Sequence, residues 1–445
     1  MKKTIIFLFA VITYNMLSAQ QSQHVLLISI DGLRPEFYMD EEWDTPTLKS
    51  LVKTGVYADG INSVFPSVTY PSHTTIVSGA YPREHGIFYN EPRTSQNNHW
   101  FWEYERITTK TLWEAAKEKG LTTGAVMWPV TVGAPITYNF PVRRPHGEEK
   151  GNQLSVTEPL VTPKTLMPEM RSEGIIKSKD QFKHETIDQT IGEMGQYIIK
   201  KHKPSLMAIH FVNVDHQQHV YGRNNRFVKE AIHNVDIQIG KLIRVLKEEN
   251  IYDYTDIIIT GDHGHVDINK EFLPNLLLKE AGLITDQSWK AKFTTAGGAA
   301  FLYVKDKKYT RQVKNILNAL PEKQKELFTI YNSKDLKRIG ADPEATLALG
   351  MKKGYVSNSK LKGQLVQNRK PVAAHGFFPD FKEIQTGFII SGPSASGHNK
   401  KITFDMGIQD LAPLISSLLD LDFNSKDGVF HKGILKKKYK IEKPK

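Results

Sequence analysis

Acidic and histidine side chains lie close together at two places along the chain, in patterns suited to metal binding. Asp215 and His219 are four residues apart, a spacing that lets both side chains point to one side of a helical turn. Asp262 and His263 are adjacent, and the following Gly264 permits a tight turn that aims side chains into a crevice. Carboxylates and neutral imidazoles are suitable ligands for zinc. The first pattern alone is common on helices, whereas the two patterns together predict a metal site.

The acids of these patterns follow short apolar runs that we interpret as buried parallel strands. Such runs are typical of strands covered on both faces, and here they span residues 25–30, 205–212, 256–260 and 388–390. Asp31, Asp215 and Asp262 follow the first three runs within a few residues. In open α/β sheets, ligands bind beyond the carboxyl ends of the strands, so the three acids are expected to converge on one crevice. His375 is the best candidate for the histidine that completes a second metal site.

A hydroxyl side chain that could act as a nucleophile precedes a short predicted helix. The helical run covers residues 74–77, and Pro71 suits the first turn of a helix. Thr69 is then near the helix N-terminus, where free N–H groups and the helix dipole favour anions. A metal bound to this hydroxyl would stabilise its alkoxide and permit attack. Without the metal motifs, a simple helix cap would be the better interpretation of Thr69.

The remaining patterns indicate an α/β fold with a mostly parallel central sheet and helices on both faces. Residues 109–119 form a helical pattern that ends at Gly120, a favourable C-terminal cap, and residues 410–419 form another. A third helix has one apolar face, made by Val228, Ile232, Val235, Ile239, Leu242 and Leu246. Strands that alternate with helices predict a parallel sheet covered on both sides. Residues 141–190 and 287–372 are more polar and are predicted to be insertions that cap the crevice.

The net charge of +11 is concentrated at the two ends of the chain. Residues 431–445 hold seven Lys against one Glu, and Lys2 and Lys3 add two more charges, so the body of the chain carries only +3. This balance argues against binding to a nucleic-acid polymer, and the basic tail is expected to be a solvated end. We expect a catalytic domain over residues 20–430, followed by the tail.

The N-terminus has the pattern of a cleavable signal peptide over residues 1–19. Two Lys precede an apolar run over residues 5–12 that is too short to span a bilayer, and small residues follow at positions 18 and 19. No other segment is long enough for a membrane span, so a periplasmic or secreted protein is predicted. The chain contains no Cys, which excludes disulfides, a Cys nucleophile and thiolate metal ligands.

Together these motifs resemble the nucleotide pyrophosphatase/phosphodiesterase family of the alkaline phosphatase superfamily, in particular its bacterial, secreted members. The resemblance extends from about residue 25 to about residue 423 and is weakest in the two insertions. Its motifs agree with the family in order and approximate spacing: Ile30-Asp31-Gly32, Thr69-Tyr70-Pro71-Ser72-His73, His85-Gly86-Ile87-Phe88-Tyr89-Asn90, Asp215-x-x-x-His219 with Tyr221-Gly222, Gly261-Asp262-His263-Gly264 and His375-Gly376. It implies an alkaline-phosphatase-like fold and two Zn²⁺ ions per chain.

The resemblance also implies a role for each motif residue. One zinc would be held by Asp215, His219 and His375, and the other by Asp31, Asp262 and His263, with Thr69 bridging towards the phosphate. Asn90 would donate a hydrogen bond to a phosphoryl oxygen. His265 departs from the family pattern and is expected to be a satisfied structural residue. His73, His85 and His216 are expected to support the structure around the site, and His398 to lie in a loop.

The substrate class depends on groups around the phosphate. Met127-Trp128-Pro129 resembles the diesterase type, which lacks the Lys-x-Arg pair of comparable monoesterases. Trp128 and Tyr70 could form an aromatic slot for a nucleobase or an apolar group, although core packing is an equally good interpretation of Trp128. We expect a small-molecule phosphate ester as substrate. A phosphomonoesterase or phosphonate hydrolase on the same scaffold stays open, because an insertion could supply the missing cation, and a catalytically silent binding protein is the alternative from another class.

Overall fold

The computed structural model describes residues 23–93 and 99–436. The strands in this part of the chain are β1 (His24–Ile30), β2 (Val56–Tyr57), β3 (Thr123–Val126), β4 (Tyr138–Phe140), β5 (Leu206–Phe211), β6 (Thr255–Thr260), β7 (Val266–Phe272), β8 (Ala291–Ala296), β9 (Ala299–Val304), β10 (Phe328–Asn332), β11 (Leu347–Met351), β12 (Gly354–Ser357), β13 (Val366–Ala374), β14 (Phe388–Ser391) and β15 (Lys400–Lys401). The four predicted strands correspond to β1, β5, β6 and β14.

The α-helices of the described residues are α1 (Glu36–Met39), α2 (Pro46–Thr54), α3 (Thr69–Ser78), α4 (Pro82–His85), α5 (Leu112–Glu118), α6 (Gln153–Thr157), α7 (Leu166–Ser172), α8 (His184–His202), α9 (Asn213–Tyr221), α10 (Arg226–Glu248), α11 (Pro274–Glu280), α12 (Lys307–Asn318), α13 (Glu322–Lys325), α14 (Ser333–Arg338) and α15 (Leu411–Leu419). The three predicted helices correspond to α5, α10 and α15. Among the described helices, none is both long and apolar enough to cross a membrane.

The central sheet has eight strands in the order β15-β2-β14-β6-β1-β5-β3-β4. Its middle strand, β1, runs parallel to both neighbours, with Leu27 opposite Ala208 of β5 and Ile258 of β6. All residues of β5 and β6 are buried, as are all of β1 after its first residue. The apolar runs therefore form the centre of a sheet that is covered on both faces, as predicted.

Side chains of β1 alternate between two hydrophobic clusters on opposite faces of the sheet. Leu26, Ile28 and Ile30 pack in the cluster that contains the apolar faces of α8 and α10. Val25 and Leu27 pack in the cluster that contains residues of α3, α5 and α15. Because successive side chains of a strand point to opposite faces, this alternation requires helices on both sides. The predicted α/β class is confirmed.

The prediction of a parallel strand at residues 388–390 is wrong in direction. β14 is buried as expected, but it runs antiparallel to both β6 and β2. A buried apolar run does not encode strand direction, which depends on how the chain returns to the sheet. Here the chain reaches β14 from β13, which lies in a separate sheet, rather than through a helical crossover of the kind that gives parallel pairs.

The two segments predicted to be insertions differ in how they fold. Residues 287–372 supply an antiparallel sheet of order β10-β11-β9-β8, and β12 and β13 flank β7 in a three-stranded sheet. Apolar residues of these strands form a hydrophobic cluster of their own. Residues 141–190 contain α6 and α7, and their apolar side chains join the cluster beneath the central sheet. That the segments cap the crevice stays a prediction. The predicted signal peptide and residues 437–445 of the basic tail lie outside the described residues.

Candidate active site

The carboxyl ends of the three central strands meet at one edge of the sheet and bring the predicted acids together. Asp31 directly follows β1, Asp262 lies two residues after β6, and α9, which carries Asp215, begins two residues after β5. The turn between β5 and α9 is held by Asp188 of α8, whose carboxylate accepts the N–H groups of Val212 at 2.8 Å and Asn213 at 3.1 Å. A buried side chain from a distant helix therefore positions the start of the helix that carries the ligand pair.

Asp31, Asp262 and His263 form one cluster of buried ligand atoms. His263 Nε2 lies 3.1 Å from Asp262 Oδ2 and 3.6 Å from Asp31 Oδ1. The other oxygen of Asp262 accepts the N–H groups of Gly32 and His263, both at 3.0 Å. The other oxygen of Asp31 lies 3.2 Å from His210 Nε2. Each carboxylate thus has one oxygen engaged by the protein and the other facing the cluster.

A second cluster contains Asp215, His219, His375 and also His265, which sequence reasoning left out. The Nε2 atoms of His265, His219 and His375 lie 3.0, 3.3 and 3.7 Å from Asp215 Oδ1. Asp215 and His219 point together from one turn of α9. Sheet pairing brings in the other two, because Val266 of β7 pairs with Ala374 of β13, and these residues adjoin His265 and His375.

Backbone carbonyl groups orient three of the four histidines that belong to the two clusters. Nδ1 of His219 lies 3.1 Å from Ala373 O, that of His263 lies 3.1 Å from Gly264 O, and that of His375 lies 2.9 Å from Ser67 O. Only an N–H can bond to a carbonyl oxygen, so each Nδ1 is the donor and each Nε2 keeps its lone pair for the cluster. This carbonyl support is characteristic of metal-binding histidines.

The two clusters are adjacent and leave several buried polar atoms without hydrogen bonds. The rings of His263 and His375 stack at 3.7 Å between centroids. The atoms without a partner are Asp31 Oδ1, Asp215 Oδ1, Asp262 Oδ2, His263 Nε2 and both ring nitrogens of His265. Buried polar atoms are rarely left unpaired, because desolvation without compensation is costly. A cation in each cluster would satisfy the three carboxylate oxygens and the Nε2 atoms of His263 and His265, so the residues fit the metal ions that the sequence predicts.

The charges of the clusters point to the same conclusion. Burial lowers the pKa of His263 and of His375 well below the ordinary value, and neighbouring histidines lower it further. These imidazoles are therefore neutral and can donate lone pairs at neutral pH. Burial, together with the charges of Asp262 and Asp215, raises the pKa of Asp31 well above its ordinary range. Carboxylates crowded in this way are compensated when they share a cation.

Thr69 is the first residue of α3 and is 8 % exposed. The residue before it, Val68, is the helix cap and is extended, so Thr69 is not itself the cap. One turn later, His73 Nδ1 bonds to Thr69 O at 2.8 Å and lies 3.8 Å from Asp262 Oδ2. His73 Nε2 lies 2.8 Å from Ser29 Oγ on β1. This histidine joins the N-terminus of α3 to the Asp31 cluster.

Asn90 contacts the same helix end. Its Oδ1 accepts the N–H of Tyr70, the residue after Thr69, at 3.0 Å. The carbonyl oxygen is thereby engaged, and the amide nitrogen is the atom that can donate to a ligand. The placement agrees with a role for Asn90 beside Thr69, and that role stays a prediction.

The predicted aromatic slot between Tyr70 and Trp128 is not formed in the structure. Trp128 is fully buried, with its ring 4.9 Å from His73 and 6.4 Å from Trp113, both edge-on. It supports α3 from beneath and offers no face to a ligand. Tyr70 is 4 % exposed and meets Trp100 edge-on at 5.1 Å. Trp100, from a segment that the motifs did not include, thus lies beside Tyr70.

Of the remaining histidines, His210 is the one near the site that sequence reasoning missed. It lies within β5, where an isolated His in an apolar run gave the only signal. His85 is buried and bonds to Thr75 Oγ1 at 3.0 Å, and His216 stacks on His184 at 3.6 Å, so neither joins a cluster. His398 is exposed in a loop, as expected.

Comparisons with known proteins agree with this site. The sequence profile of the family described as type I phosphodiesterase / nucleotide pyrophosphatase matches residues 25–378. Mouse ectonucleotide pyrophosphatase/phosphodiesterase family member 7 is 25% identical over 390 residues, which cover 84% of this chain and 79% of the mouse protein. Human family member 5 is 23% identical over 424 residues, 92% of this chain and 76% of the human protein.

Solved structures share the fold. Human ectonucleotide pyrophosphatase/phosphodiesterase 5 superposes with a TM-score of 0.67 at 19% identity, covering 93% of this chain and 100% of the human chain. An inactive form of the murine protein in complex with AMP superposes with a TM-score of 0.63 at 19% identity, again covering 93% and 100%. Family profile, relatives and strand-end clusters agree: the chain belongs to the type I phosphodiesterase/nucleotide pyrophosphatase family and is a metal-dependent hydrolase of phosphodiester bonds.

Proposed function

We propose that this enzyme is a two-zinc phosphodiesterase/nucleotide pyrophosphatase that cleaves phosphodiester or phosphoanhydride bonds through a phosphothreonine intermediate. The proposal is carried by the two adjacent clusters, which contain several buried carboxylate and imidazole atoms without hydrogen-bond partners. Their donor atoms are oxygen and nitrogen, which suits zinc. One zinc would be held by Asp215, His219 and His375, and the other by Asp31, Asp262, His263 and the hydroxyl of Thr69.

Thr69 would carry the covalent chemistry. When bound, the two metals would supply Lewis-acid stabilisation of the threonine alkoxide and of the charge on the phosphoryl and leaving oxygens. The oxygen of Thr69 attacks phosphorus, its proton passes to solvent, and the bond from phosphorus to the leaving oxygen breaks. A water molecule then attacks the phosphothreonine, which releases a phosphate monoester from a diester substrate and regenerates the hydroxyl. The first residue of a helix suits this step, because its free N–H groups favour negative charge.

Asn90 would position the phosphoryl group. Its Oδ1 is held by the Tyr70 N–H at 3.0 Å, so the orientation of the amide is fixed before substrate binds. The amide N–H can then donate to a phosphoryl oxygen next to Thr69. A donor fixed in advance stabilises developing charge without a reorganisation cost.

The choice between diester and monoester depends on a cation that could meet the additional phosphate charge. Met127, Trp128 and Pro129 are buried and uncharged, which supports the diesterase. Arg144, from the segment predicted to be an insertion, is the cation that the monoesterase alternative would use. Its Cζ lies 5.8 Å from the Trp100 ring, and its charge opposes the rise in the pKa of Tyr70 that burial causes. Arg144 is exposed, so a free phosphate dianion could reach it.

The test compares kcat/KM for p-nitrophenyl thymidine monophosphate and for p-nitrophenyl phosphate on zinc-loaded protein. We expect the diester to be preferred by orders of magnitude, and Thr69→Ala to abolish turnover of both. Arg144→Ala is the matched variant: it should leave diester turnover nearly unchanged. A preference for the monoester that Arg144→Ala removes would establish the monoesterase instead. Two bound zinc ions with no turnover of either ester would favour a silent binding protein.

We also propose export to the periplasm or to the exterior. The pattern of residues 1–19 supports this proposal. Expression of the full chain followed by mass measurement of the exported protein tests it. Loss of about the first 19 residues is expected, and an uncleaved N-terminus on protein retained in the cytoplasm would contradict it.

A further inference from the structure

His265 is completely buried, and its surroundings do not resemble those of a structural histidine. It follows Gly264 in the segment between β6 and β7. Its Nδ1 and Nε2 both lack hydrogen-bond partners, although buried polar side-chain atoms are nearly always hydrogen-bonded. Nε2 lies 3.0 Å from Asp215 Oδ1, an atom that is itself unpaired. The His265 ring thus approaches the carboxylate oxygen that the predicted ligands His219 and His375 also approach.

The ligand atoms around Asp215 have the spacing of a four-coordinate metal site. One atom each from Asp215, His219, His265 and His375 lies within 4.8 Å of all the others. In a tetrahedral zinc site with bonds of about 2.0–2.1 Å, neighbouring ligand atoms are about 3.3 Å apart. The three Nε2 atoms lie 3.0, 3.3 and 3.7 Å from Asp215 Oδ1, on both sides of that value. His265 Nε2 is therefore at least as close to Asp215 Oδ1 as the Nε2 atoms of the two predicted histidines are.

The backbone is arranged to admit the His265 ring at this position. A Cβ atom added at Gly32 would lie 2.7 Å from His265 Cε1 and 2.9 Å from its Nδ1, so a larger residue would displace the ring. Gly32 has a φ of +70°, which side chains rarely adopt. The pairing of Val266 with Ala374 sets the distance between His265 and His375. Two parts of the fold, the turn after β1 and the β7–β13 pair, thus hold the imidazole against Asp215.

We propose that His265 is a fourth protein ligand of the metal held by Asp215, His219 and His375. The inference rests on the proposed two-zinc function. Catalytic zinc sites usually keep three protein ligands and one open position, whereas four protein ligands are typical of structural sites. In this chain the metal held by Asp215, His219, His265 and His375 would be retained more tightly than a metal held by three protein ligands.

The first experiment measures zinc affinity by chelator competition and unfolding temperature, each on metal-free and zinc-loaded protein. The variant is His265→Leu, and the matched control is His85→Leu, since His85 is equally buried but lies outside both clusters. We expect two zinc ions per chain in wild type and in the control. In His265→Leu one site should lose at least about tenfold in affinity, the lower limit for groups that support a metal ligand. The rise in unfolding temperature on adding zinc should shrink only in this variant.

A crystal structure of zinc-loaded wild type gives a second readout that does not depend on the folding of a variant. The expected distance from zinc to His265 Nε2 is about 2.0–2.1 Å. A distance well beyond coordination, or unchanged zinc affinity in His265→Leu together with a lowered unfolding temperature of the metal-free protein, would overturn the assignment and leave His265 a structural residue. If wild type binds no zinc at all, the proposed two-zinc function fails with it. Two zinc ions held without His265 would refute only the inference.

Discussion

Replacement of Asn90 by Asp separates the observed contact of this side chain with α3 from its proposed contact with substrate. Its Oδ1 accepts the N–H of Tyr70 at 3.0 Å, and an Asp oxygen can accept the same bond. Its amide N–H is the proposed donor to the phosphoryl oxygen, and an ionised carboxylate has no donor. Asn90→Asp therefore keeps the contact with α3 and removes the proposed contact with substrate. Asn90→Ala removes both.

The size of each effect follows from these contacts. A hydrogen bond to a charged group contributes about 1.5–3 kcal/mol, so its loss lowers kcat/KM by about 10- to 150-fold in Asn90→Ala. The carboxylate of Asn90→Asp also repels the phosphoryl group. Two unit charges about 5 Å apart at an effective dielectric constant of about 20 repel by about 3 kcal/mol. The expected total loss for Asn90→Asp is about 1000-fold or more.

The assay is kcat/KM for p-nitrophenyl thymidine monophosphate on zinc-loaded protein, with the free energy of unfolding measured in parallel. Asn90→Ala should lose about 1 kcal/mol of stability, because the Tyr70 N–H loses its acceptor, while Asn90→Asp should not be destabilised. A carboxylate near a helix N-terminus is in fact favourable. Activity of Asn90→Asp within about threefold of wild type would show that Asn90 does not donate a hydrogen bond to the phosphate.

Three further predictions concern stability. Burial raises the pKa of Asp188 to about 7, whereas the pKa of an unfolded Asp is about 3.9. Between these two pH values the folded protein binds more protons than the unfolded chain, so its free energy of unfolding falls as pH rises from about 4 to about 7. Denaturant unfolding of metal-free protein at several pH values should show that the free energy of unfolding of Asp188→Asn falls less steeply with pH than that of wild type. Equal slopes for the two proteins would contradict this prediction. Gly32→Ala should lower the free energy of unfolding by about 2 kcal/mol or more, because the new Cβ both strains the backbone and contacts the His265 ring. Gly282→Ala is the control: Gly282 has a φ of +67° and open space around it, so only the backbone strain should destabilise this variant. Removal of zinc by a chelator should lower the unfolding temperature reversibly, because it exposes the carboxylates of Asp31 and Asp262 to mutual repulsion; an unchanged unfolding temperature would argue against metal in the clusters.

The strands and the three acids at their ends could be predicted because each depends on residues that are close in sequence. A buried strand is an apolar run, and its carboxyl end is marked by the first acid after it, as with Asp31 after β1. The same holds for the Asp215–His219 pair, which needs only one turn of α9. The position of Thr69 near the start of α3 is indicated by Pro71, which suits a first helical turn, and by the helical run that follows Pro71 in the chain.

Other parts of the site depend on contacts between residues far apart in the chain. His265 lies two residues after the predicted ligand His263, but the position of its ring depends on Gly32 and on the pairing of β7 with β13. Trp128 lies two residues after the buried strand β3, and packing beneath α3 decides that its ring is covered. Its neighbourhood in sequence could not show this.

The sequence by itself determined the α/β class, the strand-end acids, the histidines of the family motifs and the family membership, since local apolar patterns and short motifs encode them. Only the tertiary structure decided the antiparallel direction of β14, the burial of Trp128, the position of Arg144 above Trp100 and the approach of His265 to Asp215. Each of these is set by which distant segments pack together. Packing reflects the free energy of the whole chain, which no local pattern of residues contains.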